Sequence, residues 1–263
     1  MSLYLLETQC DGLLAQVFIN GVEIYREADL VEPTFRQSKV NHWIIPGDNS
    51  IQVRLVGVPV ESLIREHPRS PDFRLELKWM RETETEEPDT TTLASFRWDA
   101  EIRPLPPGVP TPVFTQTLPL PEAFGTWSWQ KAALLDDDAL RTSAGEIRSL
   151  VEEFHTALVR RNAASLLALQ RVKHEELARA LGFSLHSLES SIHEGYEELF
   201  ADPHWLPMPF DRDALVLELQ PNGRLVSVRG PGGLPPVIGR TQQEGLAFPI
   251  MAARIGNAWT VVR

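Results

Sequence analysis

The chain is poor in cysteine, since Cys10 is the sole cysteine among 263 residues. A single cysteine excludes an intrachain disulfide and a metal cluster held by several thiolates. Long apolar runs are also missing, because no stretch reaches the roughly 18 residues that a membrane helix needs. The first residues lack the basic start and the cleavage site of a secretory signal. We therefore expect a soluble, cytoplasmic protein of bacterial type that does not contact membranes.

Positive charge is scarce as well. The chain has 25 Lys and Arg against 36 Asp and Glu, a net charge of -11. Residues 1–125 contain 11 basic and 19 acidic residues, and residues 126–263 contain 14 basic and 17 acidic residues. Nucleic-acid binding depends on cations that neutralise phosphates, so we expect no nucleic-acid partner. An acidic surface favours association with a basic protein, although acidity also serves solubility alone.

Short catalytic motifs are missing too. No Gly-x-Ser-x-Gly nucleophile elbow occurs. The glycine-rich run 230–233 lacks the Lys-Ser/Thr pair of a phosphate loop, and His174-Glu175-Glu176 lacks the second histidine of a metalloprotease motif. The sequence thus indicates no catalytic residue, no metal ligand and no cofactor. It favours a protein-binding role over an enzyme.

The first hundred residues consist of short alternating runs that are separated by turn residues. Asn20-Gly21 supplies the two positive φ angles of a type I′ turn and predicts a hairpin. Apolar and charged residues alternate from Phe73 to Trp79, which predicts a strand with one buried face. Short strands at this spacing predict an all-β sandwich, jelly-roll or immunoglobulin-like, over residues 1–120.

A proline-rich segment follows these strands. Seven of the 21 prolines lie between Pro104 and Pro121. Proline has no backbone donor for a sheet ladder, so the segment is predicted to be an extended connector or an edge strand. With the connector beginning at about residue 104, the second domain is predicted to cover residues 121–263.

Two acidic clusters stand out as candidate binding sites for a basic partner. The first comprises Glu82, Glu84, Glu86, Glu87 and Asp89, and the second comprises Asp136, Asp137 and Asp138. Neighbouring carboxylates repel one another and offer nothing to bury, so the first cluster is predicted to be a solvated loop tip. The second lies beside a predicted helix start, where negative charge is favourable. Solvation alone also explains clusters of this kind.

The apolar period changes from two to about 3.6 in the C-terminal half. Ser143 and Glu146 form a capping-box pattern, which predicts the start of a first helix there. Asn162 is predicted to end it and to begin a second helix that Gly182 closes. Ser184 is predicted to open a third helix. Short strands, separated by Gly, Pro and Asn turns, follow up to the last residue.

This order resembles the NTF2-like, or ketosteroid-isomerase-like, superfamily. The segment 146–166 is similar to its first helix and the start of its second, and 255–263 is similar to its last hairpin with a Gly-x-x-Trp strand. The resemblance implies an α+β cone with an internal pocket. Tyr196, His204, Trp205 and Glu218 are residue types found in such pockets, although a surface carboxylate and core aromatic residues explain them better.

Three functional hypotheses follow from the sequence. The first is a cytosolic immunity protein that neutralises a cationic bacterial toxin, for example a nuclease. The alternative is a small-molecule binder, or an isomerase- or dehydratase-like enzyme, that uses the C-terminal cone. The third is carbohydrate binding by the β-sandwich through exposed tryptophans.

Overall fold

The computed structural model divides the chain into two compact units, Met1–Gly125 and Thr126–Arg263. The structure describes residues 2–27, 33–57, 71–81, 89–99, 105–106, 108–121 and 124–263. No helix within these ranges is long and apolar enough to cross a membrane.

The described part of the first unit contains eight strands in two antiparallel sheets. The strands are β1 Ser2–Asp11, β2 Leu14–Ile19, β3 Val22–Glu27, β4 Thr34–Lys39, β5 Asp48–Val56, β6 Asp72–Arg81, β7 Asp89–Asp99 and β8 Pro110–Pro119. One sheet has the order β4-β1-β6-β7 and the other has the order β3-β2-β5-β8. A short 3-10 helix, Asn41–Trp43, lies between β4 and β5.

Both sheets bury one face, and their edges touch. The alternation predicted from Phe73 onward is confirmed, because Phe73, Leu75 and Leu77 are fully buried on β6. The rings of Phe96 on β7 and Phe114 on β8 stack with centroids 4.8 Å apart. Two antiparallel sheets in such contact are compatible with the predicted β-sandwich.

Local turn chemistry in this unit follows the prediction. Asn20 and Gly21 have φ angles of 52° and 71°, as a type I′ hairpin requires. The Asn20 side chain also donates to the carbonyl of Trp43 and to Oδ1 of Asn49, each at 2.8 Å. The same hairpin residue therefore fixes the loop that leads into β5.

The proline-rich segment contributes a strand. Residues Pro110–Pro119 form β8, which pairs with β5 at the edge of its sheet. An edge position suits proline because one side of the strand needs no ladder donors. Of the two predicted alternatives, an extended connector and an edge strand, these residues form the edge strand. The boundary between the two compact units follows Gly125 in the sequence.

The second unit contains four α-helices followed by short strands. The helices are α1 Asp137–Val159, α2 Ala163–Leu169, α3 Arg171–Leu181 and α4 Leu185–Ala201. The strands are β9 Leu206–Pro207, β10 Val216–Leu219, β11 Leu225–Arg229, β12 Val237–Arg240, β13 Gly245–Phe248, β14 Ile250–Ile255 and β15 Ala258–Val261. They form an antiparallel sheet β10-β11-β14-β15 and a three-stranded antiparallel sheet β13-β12-β9.

Two details of the helix prediction are wrong. The first helix begins at Asp137, six residues before Ser143, with the Asp136 carboxylate accepting from the Ala139 amide at 2.8 Å. Ser143 is a buried residue inside α1 rather than its cap. The predicted second helix is two helices, because the chain leaves helical geometry at Gln170. Asn162 and Gly182 do mark boundaries, as predicted.

The core of the second unit lies between α1 and the sheets. Phe154 on α1 and Trp259 on β15 belong to one buried cluster, with 2% and 9% of their surfaces exposed. Trp205 joins this cluster and lies so close to Gly239 that a methyl group at residue 239 would overlap its ring. The core therefore fixes α1 against the strands of this unit.

Candidate partner-binding site

A groove runs along α1 and α2 in the second unit. Its volume is about 720 Å³, and its polar lining comprises Ser149, Glu152, Glu153, Thr156, Arg160, Asn162 and Ser165. The turn between the two helices shapes one end. Arg161 adopts a left-handed φ of 53°, and the Asn162 side chain then accepts from the Ser165 amide at 3.0 Å. We call this feature the α1–α2 groove.

The two glutamates of the α1–α2 groove differ in their ion pairing. Glu152 pairs with Arg212 at 2.9 Å, and both side chains are about half exposed. The same guanidinium donates to the Gly145 carbonyl and the Ser149 hydroxyl, each at 3.1 Å. Glu153 forms no ion pair with any residue in the described ranges. Glu153 is therefore available to a cation from outside.

A smaller, apolar pocket is lined by His155 of α1 and by residues of the segment 208–238. Its volume is about 210 Å³, and its lining includes Met208, Phe210, Leu215, Leu234, Val237 and Ile238. Four prolines, Pro209, Pro231, Pro235 and Pro236, complete much of the wall. Its rim is exposed, because Leu234 and Met208 have 56% and 37% of their surfaces accessible. We call this feature the proline pocket.

His155 joins the proline pocket to α1. Its Nε2 lies 3.0 Å from the carbonyl oxygen of Met208, and its ring stacks on Phe210 at a centroid distance of 5.1 Å. The segment that follows β9 is also held by the Met208 amide, which donates to the Ile238 carbonyl at 2.8 Å. Asp211 turns the chain by accepting from the amides of Asp213 and Ala214.

The α1–α2 groove and the proline pocket are neighbours on one helix. Glu152 and His155 lie one turn apart on α1, the former in the groove and the latter in the pocket. The Glu152–Arg212 ion pair links the two, since Arg212 follows the pocket residue Asp211. Carboxylates in the combined lining are Asp211, Glu152 and Glu153, against the single cation Arg160. The two features therefore share α1, but Glu153 and His155 are two residues apart and project from nearly opposite sides of that helix.

The acidic clusters named from the sequence are not among the described residues that line the groove or the pocket. Glu82, Glu84, Glu86 and Glu87 fall outside the described residues, while Asp89 begins β7 and lies 3.7 Å from Arg81. Asp136, Asp137 and Asp138 form the cap and first turn of α1. These three are exposed, and negative charge there stabilises the helix. Helix capping is thus one physical account of the second cluster.

Of the four pocket candidates, Tyr196 and Trp205 lie in one core cluster, whereas Glu218 is part of a cross-strand ion pair and His204 is exposed. Burial raises the pKa of Tyr196, whose hydroxyl oxygen accepts from the Gln170 amide at 2.8 Å. Trp205 is 4% exposed, within the core. Glu218 pairs with Arg229 at 2.8 Å across β10 and β11. His204 is exposed in the turn after α4. Tyr196 and Trp205 are linked through Phe200, whose ring neighbours both.

Sequence reasoning missed a buried polar cluster on α3. Glu176 is 2% exposed, pairs with Arg263 at 2.9 Å and accepts from the backbone amide of Ser128. Burial lowers the pKa of the neighbouring His174 to about 4 and that of Lys173 to about 8. The partners of Glu176 lie 48 and 87 positions away in sequence, so no local pattern indicates the cluster.

Cys10, the sole cysteine, is an interior residue. It is 1% exposed, and burial raises the pKa of its thiol to about 12. A thiol that stays protonated at neutral pH is a poor nucleophile. Cys10 therefore acts as a small buried apolar residue.

Comparison of the chain with protein-family models, with curated proteins and with solved structures finds no match.

Proposed function

We propose that the protein acts by binding a basic protein partner, as a cytosolic immunity protein that neutralises a cationic bacterial toxin such as a nuclease. The observation that carries this proposal is the α1–α2 groove, in which Glu152 and Glu153 face an open volume of about 720 Å³. An acidic surface of this kind attracts a basic protein, which raises the association rate, and it repels acidic proteins. The net charge of -11 acts in the same direction.

The fold assigned to the second unit under this proposal is the NTF2-like cone. Its support is the order of elements, with helices α1 to α4 preceding antiparallel strands that run to β15. The buried Trp259 on the last strand agrees with the Gly-x-x-Trp pattern that suggested it. For the first unit we propose a β-sandwich of jelly-roll or immunoglobulin-like kind.

The test is to capture a partner with the full chain and to compare wild type with two matched double variants. Wild-type protein should retain a basic protein from the source-cell lysate and abolish that protein's activity when added in equimolar amount. The variant Glu152→Gln/Glu153→Gln should retain less of it, because two charges leave the groove. Glu197→Gln/Glu198→Gln removes two exposed charges from α4 and should behave as wild type.

Two results would contradict the proposal. One is that wild-type protein retains no basic protein. The other is that it retains one whose activity it leaves untouched, which would remove the toxin-neutralising role.

A further inference from the structure

Lys173 on α3 is a partly exposed residue whose amine is largely removed from solvent. Its Nζ donates to Oε1 of Gln170 at 3.3 Å, and no carboxylate within the described ranges pairs with it. The carboxylate of Glu176, one turn along α3, is engaged by Arg263 at 2.9 Å and by the Ser128 amide. An ammonium ion that loses water without gaining a countercharge is destabilised relative to the neutral amine.

Gln170 holds this amine with a neutral acceptor of fixed orientation. It is 4% exposed, and its Nε2 donates to the Leu166 carbonyl at 3.2 Å and to the Tyr196 hydroxyl at 2.8 Å. These two bonds fix the amide nitrogen on one side, so Oε1 is the atom that meets Lys173. A neutral amide oxygen stabilises an ammonium ion less than a carboxylate does. Gln170 therefore positions the amine without holding it in the charged form.

The electrostatic surroundings of Lys173 favour the neutral amine. Burial, and then the charge of Arg263, lowers the pKa of Lys173 to about 8. The other titratable groups of this cluster are His174 and Glu176 on α3 and Tyr196 on α4. At pH 7 about a tenth of the Lys173 amine is neutral, whereas an ordinary lysine with a pKa near 10.4 is neutral to less than about 0.1%. The neutral amine is the form that attacks a carbonyl carbon.

We propose that Lys173 is a covalent binding site for small aldehydes, which it takes up reversibly as a Schiff base. The amine nitrogen attacks the carbonyl carbon, a C=N bond replaces the C=O bond, and the oxygen leaves as water with the two amine hydrogens. No oxidant or reductant is needed. The partial exposure of Lys173 restricts the reagent to a small one. Neither Lys173 nor Gln170 lines the α1–α2 groove or the proline pocket, so the site is independent of the proposed function.

The chain has four lysines, so the other three serve as internal references. The full chain is incubated with acetaldehyde and sodium cyanoborohydride at pH 7, and peptide mass spectrometry follows the reduced adduct on each lysine. Lys173 should be modified about fivefold faster or more than the exposed Lys39 and Lys131, because more of its amine is neutral. Lys78, whose pKa is raised by its hydrogen bond to Glu7, should be modified slowest. Unfolding in urea should remove these differences.

A variant at Gln170 supplies a second readout, the pH profile of modification. Gln170→Glu sets a carboxylate against the amine, which favours the ammonium form. Modification of Lys173 should therefore slow about fivefold or more at pH 7 and recover as the pH rises. Gln242→Glu adds the same charge in the exposed turn between β12 and β13 and should behave as wild type.

Three results would overturn the proposal. The first is modification of Lys173 no faster than that of Lys39 and Lys131 in the folded wild type, a comparison that decides the question even if Gln170→Glu does not fold. The second is a faster rate at Lys173 that persists in urea, which would assign the reactivity to local sequence. The third is a folded Gln170→Glu variant with the wild-type rate at pH 7.

Discussion

Trp205 and Gly239 show how a single residue choice fixes the packing of the second unit. A methyl group on residue 239 would lie 2.1 Å from Cη2 of Trp205, well inside van der Waals contact. The indole is held on its other sides by the rings of Phe200 and Phe248, each with its centroid 6.3 Å away. Neither β12 nor the indole can therefore yield without disturbing the core.

We expect Gly239→Ala to lower the free energy of unfolding by about 1–3 kcal/mol through overpacking. Gly245→Ala, on the paired strand β13, is the control, because its added methyl group would meet nothing within 4 Å. Urea unfolding of both variants and of wild type measures the difference. Equal stability of the two variants would contradict the described contact between Trp205 and Gly239.

His174 gives the second unit a dependence on pH. Burial, and then the charge of Lys173, lowers the pKa of His174 to about 4, whereas an unfolded histidine titrates near 6.5. The unfolded chain therefore takes up a proton first as the pH falls, and stability is lost between about pH 6.5 and pH 4. Between pH 7 and pH 5 the loss from this group should be roughly 2 kcal/mol. Lys173, with a pKa of about 8, is charged at both pH values and does not contribute.

The measurement is urea unfolding at pH 7 and pH 5 for wild type, His174→Asn and His193→Asn. Replacement of His174 should reduce the loss of stability at pH 5, since the buried titrating group is gone. Replacement of the exposed His193 should leave the pH dependence as in wild type. An unchanged pH dependence in His174→Asn would show that His174 is not the group responsible.

At the scale of elements, the sequence predicts structure well where the cause is local. Asn20-Gly21, Asn162 and Gly182 each act through their own backbone angles or a side-chain bond within three residues, and each was located correctly. The capping box at Ser143 is equally local but wrong, because Asp136 caps the same helix earlier. Two valid helix starts were available, and sequence alone does not rank them.

Elements that depend on distant partners were harder to predict. Strand β4 has a mostly exposed burial pattern, and its pairing with β1 rather than apolar alternation places it in the sheet. Strands β13 and β14 are separated only by Pro249 in sequence, yet they belong to two different sheets. The groove combines α1 with α2, and the proline pocket combines α1 with residues 208–238, so their composition follows from tertiary packing.

The start of α1 offers a test of whether Asp136 is structural. Asp136→Ala should cost about 1 kcal/mol because the Ala139 amide loses its partner, while Asp136→Asn should cost much less because asparagine also caps. Asp138→Asn, which changes an exposed residue paired with Arg141, is the control. Thermal or urea unfolding measures the stability of the three variants relative to wild type. Equal losses for Asp136→Ala and Asp136→Asn would assign the effect to charge instead of capping.

At the scale of the whole molecule, charge is the property that the sequence conveys most directly. The net charge of -11 is spread over both halves, with -8 in residues 1–125 and -3 in residues 126–263. The less acidic half nevertheless contains the α1–α2 groove and its two carboxylates. Net charge alone therefore does not locate a binding surface, and the proposed surface rests instead on the placement of Glu152 and Glu153 on one helix.

The most direct test of the account is the association rate constant between the captured basic partner and the protein, measured at low and at high salt. Wild type should associate faster at low salt, because screening weakens attraction beyond roughly 10 Å at 0.1 M. Glu152→Gln/Glu153→Gln should associate several-fold more slowly at low salt and depend less on salt, while Glu197→Gln/Glu198→Gln should match wild type. If the groove variant and wild type show the same rate and the same salt dependence, the α1–α2 groove is not the site of encounter.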